Sequence, residues 1–286
     1  MNKGFINIKG ELKSIGNPLT MGILNITPDS FFDGGKYQLQ YDIESRCEQI
    51  LYEGADIIDI GAYSSRPGAL HVSEDEELKR LVQALKWIRL KYPNAVISVD
   101  TFRASISQNV VNDFEVDIIN DISGGMMDDL MFETIGKLGV PYVLMHMLGT
   151  PQNMQNNPKY INLIGDISLF FSKQLKKLTS FGAKDIILDV GFGFGKTLEH
   201  NYELLRELKQ FELFNLPLLV GLSRKSMIYR LLDILPKDAL NGTTALNTVA
   251  LLNGANILRV HDVKDAVECI NLVRQLKIAG TIHDIS

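Results

Sequence analysis

The chain has 286 residues, 45% of them hydrophobic and 22% charged, with a formal net charge of −5. Such a composition supports a large apolar core. It gives neither the basic footprint of a nucleic-acid binder nor the run of about 20 apolar residues that a membrane span needs. The opening MNKGFINIKGELKSIG has no long apolar run behind its first lysine and does not read as a signal peptide. Cys47 and Cys269 sit in helical patterns without metal-ligand spacing, which fits a reducing cytoplasm.

In chain order, FINIKGELKSIG (5–16) alternates around Lys9-Gly10 and predicts a hairpin. Short apolar runs then alternate with longer amphipathic ones. Strands are expected at 19–26, 55–61, 95–100, 116–121, 141–147, 185–190, 216–222 and 256–260. Helices are expected at 41–54, 74–92, 103–113, 128–138, 159–181, 197–210, 225–233 with 239–253, and 263–277. Ser73 stands where an N-cap belongs, with Glu76 three residues on, the pattern of a capping box. The strand runs are continuously apolar, as parallel strands covered on both faces are. Eight strand–helix units predict an α/β chain: one (β/α)8 TIM barrel over roughly 19–279, behind a short N-terminal β-hairpin.

Polar residues collect at the C-terminal ends of these strands, the face on which barrel enzymes carry their chemistry. They are Asn25, Asp59 before GAYSSRPG, Asp100, Asn120 with Asp121, His146, Asp189 before GFGFGK, the SRKS segment, and Arg259 with His261. Converging charges are costly to bury without a ligand. Asn120 and Asp189 suit an aminopyrimidine edge, whose adjacent N–H groups match the two oxygens of a carboxylate. Lys225, Arg259 and His261 supply cations for a phosphate leaving group. GFGFGK lacks the Ser/Thr ending of a P-loop, and its Lys196 is as readily a surface residue as a functional one. Two loops carry residues that suit folding over a ligand: TPDSFFDGG (27–35), with Phe31 and Phe32, and GAYSSRPG (61–68), with Arg66 beside Pro67.

The blocks MGILNITPDSFFDGG, IIDIGAYSSRPG, ISVDT, IINDISGG, VLMHM, ILDVGFGFGKTLEHN, GLSRKS and RVHDV run from residue 21 to residue 263. In type and order they resemble those of the dihydropteroate synthase family of pterin-binding barrels. The resemblance implies a transferase that joins 6-hydroxymethyl-7,8-dihydropterin diphosphate to 4-aminobenzoate, giving 7,8-dihydropteroate and diphosphate in folate biosynthesis. It implies pterin contacts at Asp100, Asn120, Met145, Asp189 and Lys225, and diphosphate contacts at Asn25, Arg259 and His261, with Asn25 also touching Mg2+. It places Phe31, Ser64, Ser65, Arg66, Pro67, Phe194 and Ser226 around the aminobenzoate and its loops. Asp100, Lys225, Arg259 and His261 form the implied catalytic set. It further implies a cytoplasmic homodimer and competition between sulfonamides and aminobenzoate.

Three positions depart from the family pattern. Gly61-Ala62-Tyr63-Ser64-Ser65 stands where two glycines, a glutamate, a serine and a threonine are usual, Val190 replaces a proline, and Leu148 replaces a commonly polar residue. Two other readings compete. A methyltetrahydrofolate–corrinoid methyltransferase shares such a pocket but has no need of the SRKS and RVHDV cations. A non-catalytic pterin-binding paralogue would be expected to have lost Asp100, Lys225 or Arg259, all of which are present.

Overall fold

The structure is a computed structural model that describes residues 5–27, 36–63, 71–150, 154 and 158–281. Strands β1 (Phe5–Ile8) and β2 (Glu11–Ser14) form the hairpin, with Ile8 opposite Glu11. Lys9 and Gly10 both take positive φ, 56° and 77°, as a two-residue primed turn requires.

Eight parallel strands follow: β3 (Leu19–Asn25), β4 (Ile57–Gly61), β5 (Ile97–Asp100), β6 (Ile118–Asp121), β7 (Tyr142–Met145), β8 (Ile186–Asp189), β9 (Leu218–Val220) and β10 (Ile257–Val260). They pair in sequence order, and β10 returns to β3, so the barrel closes. The helices are α1 (Lys36–Tyr52), α2 (Glu74–Lys91), α3 (Ala104–Phe114), α4 (Met131–Leu138), α5 (Leu163–Ser180), α6 (Leu198–Arg206), α7 (Ser226–Tyr229), α8 (Leu240–Leu252) and α9 (Val263–Thr281).

Several boundaries differ from the pattern reading. The first turn of α1 is KYQLQ, too polar to register in an apolar period, so the helix starts five residues earlier than 41. The helix expected at 197–210 ends at Arg206 and tightens into a 3-10 turn, Leu208–Phe214. That expected at 225–233 is one turn only. Ser73 does cap α2, its Oγ accepting from the Glu76 N–H at 3.3 Å. The Glu76 carboxylate, however, accepts from Arg80 Nε at 2.8 Å instead of reaching back, so the predicted box is half made. The full box is at α6, between Thr197 and His200.

Strand alternation sorts the core into layers. Outward residues such as Ile58, Ile60, Leu144 and Leu188 pack under the helices. Inward, Met21, Ile57, Ile118, Val143, Ile187, Leu219 and Ile257 form one apolar layer with the hairpin's Ile6, Ile8 and Ile15. The hairpin therefore plugs the N-terminal end of the barrel. Asn7 N–H donates to Asp185 Oδ1 at 2.9 Å, and Asn256 Nδ2 to the Ile15 carbonyl at 3.0 Å, which hold it there. With that end sealed, the other end is left for chemistry. Both cysteines are free and buried. Among the described residues, no helix is long and apolar enough to cross a membrane.

Candidate active site

Two residues above the apolar plug, the same inward face turns polar, because side chains two apart on a strand share a face. Ile57 is followed at that spacing by Asp59, Ile118 by Asn120, Ile187 by Asp189, Ile257 by Arg259 and Val143 by Met145. Asp100 pairs in register with both Gly61 and Asn120. Asn25 pairs with Gly61. Gly61 lacks a side chain there: a Cβ on it would stand 3.5 Å from Asn25 Oδ1 and 3.7 Å from the Asp100 Cβ. The expected strand-end residues thus meet in one cup.

Arg259 organises the floor. Its Nε donates to Asp59 Oδ2 at 2.7 Å and its Nη2 to Asp100 Oδ2 at 3.0 Å. Asn120 Nδ2 lies 3.3 and 3.2 Å from the two oxygens of Asp59, which is fully buried. Burial works against the charge of Arg259, but Asp59 and Asp100 outweigh it and raise its pKa. Asp100 is itself pushed up, chiefly by burial and further by Asp59, Asp121 and Asp189, with Arg259 opposing. Burial also raises Asp189, against the pull of Lys225 and Arg259; its Oδ1 accepts from the Gly191 N–H at 2.8 Å. Met145 belongs to a separate apolar cluster with Phe102, Ile122, Met147 and Met154. Tyr63, Met127 and Phe194 pack half-buried against it, giving a flat ring an apolar wall beside the carboxylates.

Lys225 is the N-cap residue of α7, and Ser226 opens that helix. The Lys225 ammonium donates to the Phe192 carbonyl and lies 4.8 Å from the centre of the Phe194 ring. Burial, helped by Arg259, lowers its pKa to about 8. Beside it, His261 N–H donates to Ser223 Oγ at 3.2 Å, and the same oxygen lies 3.0 Å from His261 Nδ1. When the Ser223 hydroxyl gives its proton to Nδ1, the N–H of the ring is on Nε2. Burial and the nearby Arg259 and Arg224 lower His261 to about 4.

These facts revise the expectations for His261, Asp121 and His146. His261, read as a cation, is a neutral N–H donor in the ligand-free fold, because desolvation and two guanidinium groups disfavour its protonation. Arg259, expected at the diphosphate, is braced in the ligand-free fold by two carboxylates of the floor. Asp121 and His146, counted among the converging strand ends, point away from the cup. Asp121 accepts from Tyr142 Oη at 2.6 Å and from the Ser123 and Gly125 N–H groups, and His146 packs edge-on to Phe170. Both follow an inward residue by one position, so the alternation turns them outward.

Two residues were missed. Asp59 was noted only as a polar position on its strand, yet the Ile-Ile-Asp pattern matches Ile-Ile-Asn at 118–120 and was the available signal. Lys196 is buried, not on the surface, and its ammonium lies 3.1 Å from His146 Nδ1. Phe31, Ser64, Ser65, Arg66 and Pro67 lie outside the described residues. The substituted Tyr63 is described: it packs edge-on to Phe102 at 5.1 Å, with the Arg103 guanidinium 5.7 Å from its ring centre. Arg103 in turn donates to the Val72 carbonyl at 2.7 Å and pairs with buried Glu77. Val190, which replaces a proline, is a fully buried outward residue.

Comparison with known proteins agrees with this geometry. A family model described as pterin binding enzyme matches residues 21–261. The dihydropteroate synthase of Escherichia coli (strain K12) is 42% identical over 267 residues, 93% of this chain and 94% of that protein. Among solved structures, the Yersinia pestis dihydropteroate synthase in a sulfonamide drug complex is 40% identical with a TM-score of 0.89, over 96% of this chain and 99% of the other. The Xanthomonas albilineans dihydropteroate synthase with 4-aminobenzoic acid is 31% identical with a TM-score of 0.88, over 96% and 98%. The chain belongs to the dihydropteroate synthase family of pterin-binding enzymes.

Proposed function

We infer that this chain joins 6-hydroxymethyl-7,8-dihydropterin diphosphate to 4-aminobenzoate, releasing diphosphate. The observation that carries the reading is the single inward layer of Asp59, Asp100, Asn120, Asp189 and Arg259 beside the Met145 cluster, with Lys225 and His261 at its edge. Carboxylates and an amide suit the N–H groups of an aminopyrimidine, and the apolar wall suits its ring face. This departs from the methyltransferase reading, which leaves Lys225 and the Ser223–His261 pair without a task.

The residues divide the chemistry. Asp189 and Asn120 hold the pterin edge. The dihydropterin pushes electrons toward its exocyclic carbon as the C–O bond to diphosphate breaks, and Asp100 stabilises the positive charge that develops on the ring. Lys225 and the Nε2–H of His261 donate to the departing oxygens. The aniline nitrogen then forms the C–N bond and releases a proton to solvent. Phe194 and Ser226 bound the aminobenzoate, and Phe31, Ser64, Ser65, Arg66 and Pro67 are the further residues assigned to its binding.

The donor set at the rim fits Mg2+. Asn25 offers a hard amide oxygen next to Asp100, over a position with no Cβ, and Mg2+ commonly takes one or two protein oxygens and completes its shell with phosphate and water. No cluster of three His, Cys, Asp or Glu side chains suited to a metal occurs among the described residues, so the diphosphate would supply most ligands. Bound there, the ion would neutralise charge on the leaving group.

A homodimer is supported by exposed leucines on neighbouring elements: Leu231, Leu232 and Leu235 after α7, Leu252 of α8, and Leu272 and Leu276 of α9. Sedimentation of Leu272→Glu/Leu276→Glu should show a shift toward monomer; an unchanged mass would refute that face. The free cysteines are consistent with a cytoplasmic location. The function is tested with purified chain, the dihydropterin diphosphate, labelled 4-aminobenzoate and Mg2+. Labelled dihydropteroate and one diphosphate per product are expected, with inhibition by a sulfonamide competitive with aminobenzoate. No labelled product would overturn the reading.

A further inference from the structure

Lys196 is a buried cation with no part in the chemistry above. Two glycines of the preceding segment explain where it sits. Gly191 (φ 69°) passes so close to β7 that a Cβ would fall 2.0 Å from the His146 carbonyl oxygen, and one on Gly195 (φ 63°) would fall 2.5 Å from the Leu148 carbonyl oxygen. Residues 191–195 are therefore laid directly on the chain leaving β7. Lys196 fastens them there. Its ammonium reaches Gly191 O at 2.9 Å, Phe194 O at 3.1 Å and His146 Nδ1 at 3.1 Å. A fourth, longer contact runs to the His146 carbonyl at 3.5 Å, so every proton of the ammonium has an acceptor.

The fastening has consequences at both ends. Gly191 N–H is the group that binds Asp189 Oδ1, and Phe194 is the ring beneath the Lys225 ammonium. Other bonds also hold the segment: Asn201 Oδ1 accepts from Gly193 N–H at 2.7 Å, and Tyr160 Oη donates to Gly195 O at 2.8 Å. Neither touches the carbonyl of Phe194.

We propose that Lys196 is a positioning residue for the acceptor substrate: by binding the Phe194 and Gly191 carbonyls and His146 Nδ1, it sets the Phe194 ring against Lys225 and so fixes the aminobenzoate side of the pocket. This rests on the functional reading above. On the donor side Lys196 reaches only Asp189, and that through the Gly191 peptide, whereas Asp59, Asn120, Asp100 and Met145 have supports that do not include Lys196. Loss of the ammonium should therefore separate the two substrates. Burial and the Lys196 charge lower the pKa of His146 to about 2, so its Nδ1 is free to accept.

The test is Lys196→Met, of similar length but without donors, alongside His146→Phe, which removes the Nδ1 acceptor and keeps the ammonium on its backbone carbonyls. Cooperative melting checks folding, initial rates give kcat and KM for 4-aminobenzoate, and calorimetry gives Kd for the dihydropterin diphosphate. For Lys196→Met we expect the KM for aminobenzoate to rise at least tenfold, with kcat and the pterin Kd within threefold of wild type. His146→Phe should show a smaller rise of the same selective kind. A KM within twofold of wild type, or parallel loss in all three quantities, overturns the proposal. If Lys196→Met does not fold, His146→Phe decides on the same criterion. Wild-type protein that forms no product would instead remove the functional reading beneath it.

Discussion

Arg259 Nε and Asp59 Oδ2 lie 2.7 Å apart, although 200 positions separate them in sequence. The pair joins two strands that are not neighbours, since β3 stands between β4 and β10. Asp59 has no exposure, and Arg259 and Asn120 are the partners of its carboxylate oxygens. Removing one partner of such a pair leaves an uncompensated charge, at a cost of about 3–5 kcal/mol. Asp59→Ala should lose about that much in urea unfolding, together with pterin binding. Loss below about 1 kcal/mol would show that the guanidinium finds full compensation from Asp100.

Lys225 carries a second expectation. With the ammonium buried among Arg259 and Asp189, its pKa is lowered to about 8, so the charged form that serves the leaving group is depleted as pH rises past that value. The kcat/KM for the pterin diphosphate, which reports the free enzyme, should fall above about pH 8. Lys225→Ala should cut turnover at least ~100-fold. A flat profile to pH 9.5, or an alanine variant of normal rate, contradicts the role.

Glycines separate strain from contact. Gly139 caps α4 at φ 66° with open space where a Cβ would stand, whereas Gly191 has a carbonyl oxygen in that position. Gly139→Ala should cost about 1 kcal/mol, the price of the left-handed backbone alone. Gly191→Ala should cost at least ~3 kcal/mol more and disturb Asp189, because backbone must move. Equal melting temperatures for the two variants would count against the close approach.

His146 gives a pH test of stability. Its folded pKa is lowered from 6.5 to about 2 by burial and by Lys196. Below 6.5 the unfolded chain takes up a proton that the fold refuses, so stability present at neutral pH is lost as pH falls toward the folded value. His146→Phe escapes that loss. The stability gap between wild type and variant should shrink between pH 6 and 4 by up to about 1.4 kcal/mol per pH unit. The raised carboxylates Asp100, Asp121 and Asp189 are common to both proteins and cancel. A gap independent of pH would place the neutral form of His146 in doubt.

Tyr63 replaces the family glutamate by contact of another kind. It meets Phe102 edge-on and takes the Arg103 cation over its ring. Tyr63→Ala should cost about 2 kcal/mol, the sum of one aromatic pair and one cation–π contact. Tyr63→Glu should recover part of it by pairing with Arg103. If glutamate proves as damaging as alanine in thermal melts, Arg103 is not the shared partner.

The sequence by itself determined the barrel, because continuous apolar runs separated by helical periods are a local record of parallel strands covered on both faces. It also determined which strand ends carry polar groups, and the Lys9-Gly10 turn that lets the hairpin fold back. Only the tertiary structure decided which way those polar groups face. Asn120 and Asp121 are adjacent, and the register set by the plug of Ile6, Ile8 and Ile15 against Ile118 turns one into the cup and the other toward Tyr142. It alone revealed Asp59 as the counter-charge of Arg259, and Lys196 as the bond between two loops. Partners separated by tens to hundreds of residues leave no local trace, since their energies depend on distances that exist only once the barrel is closed.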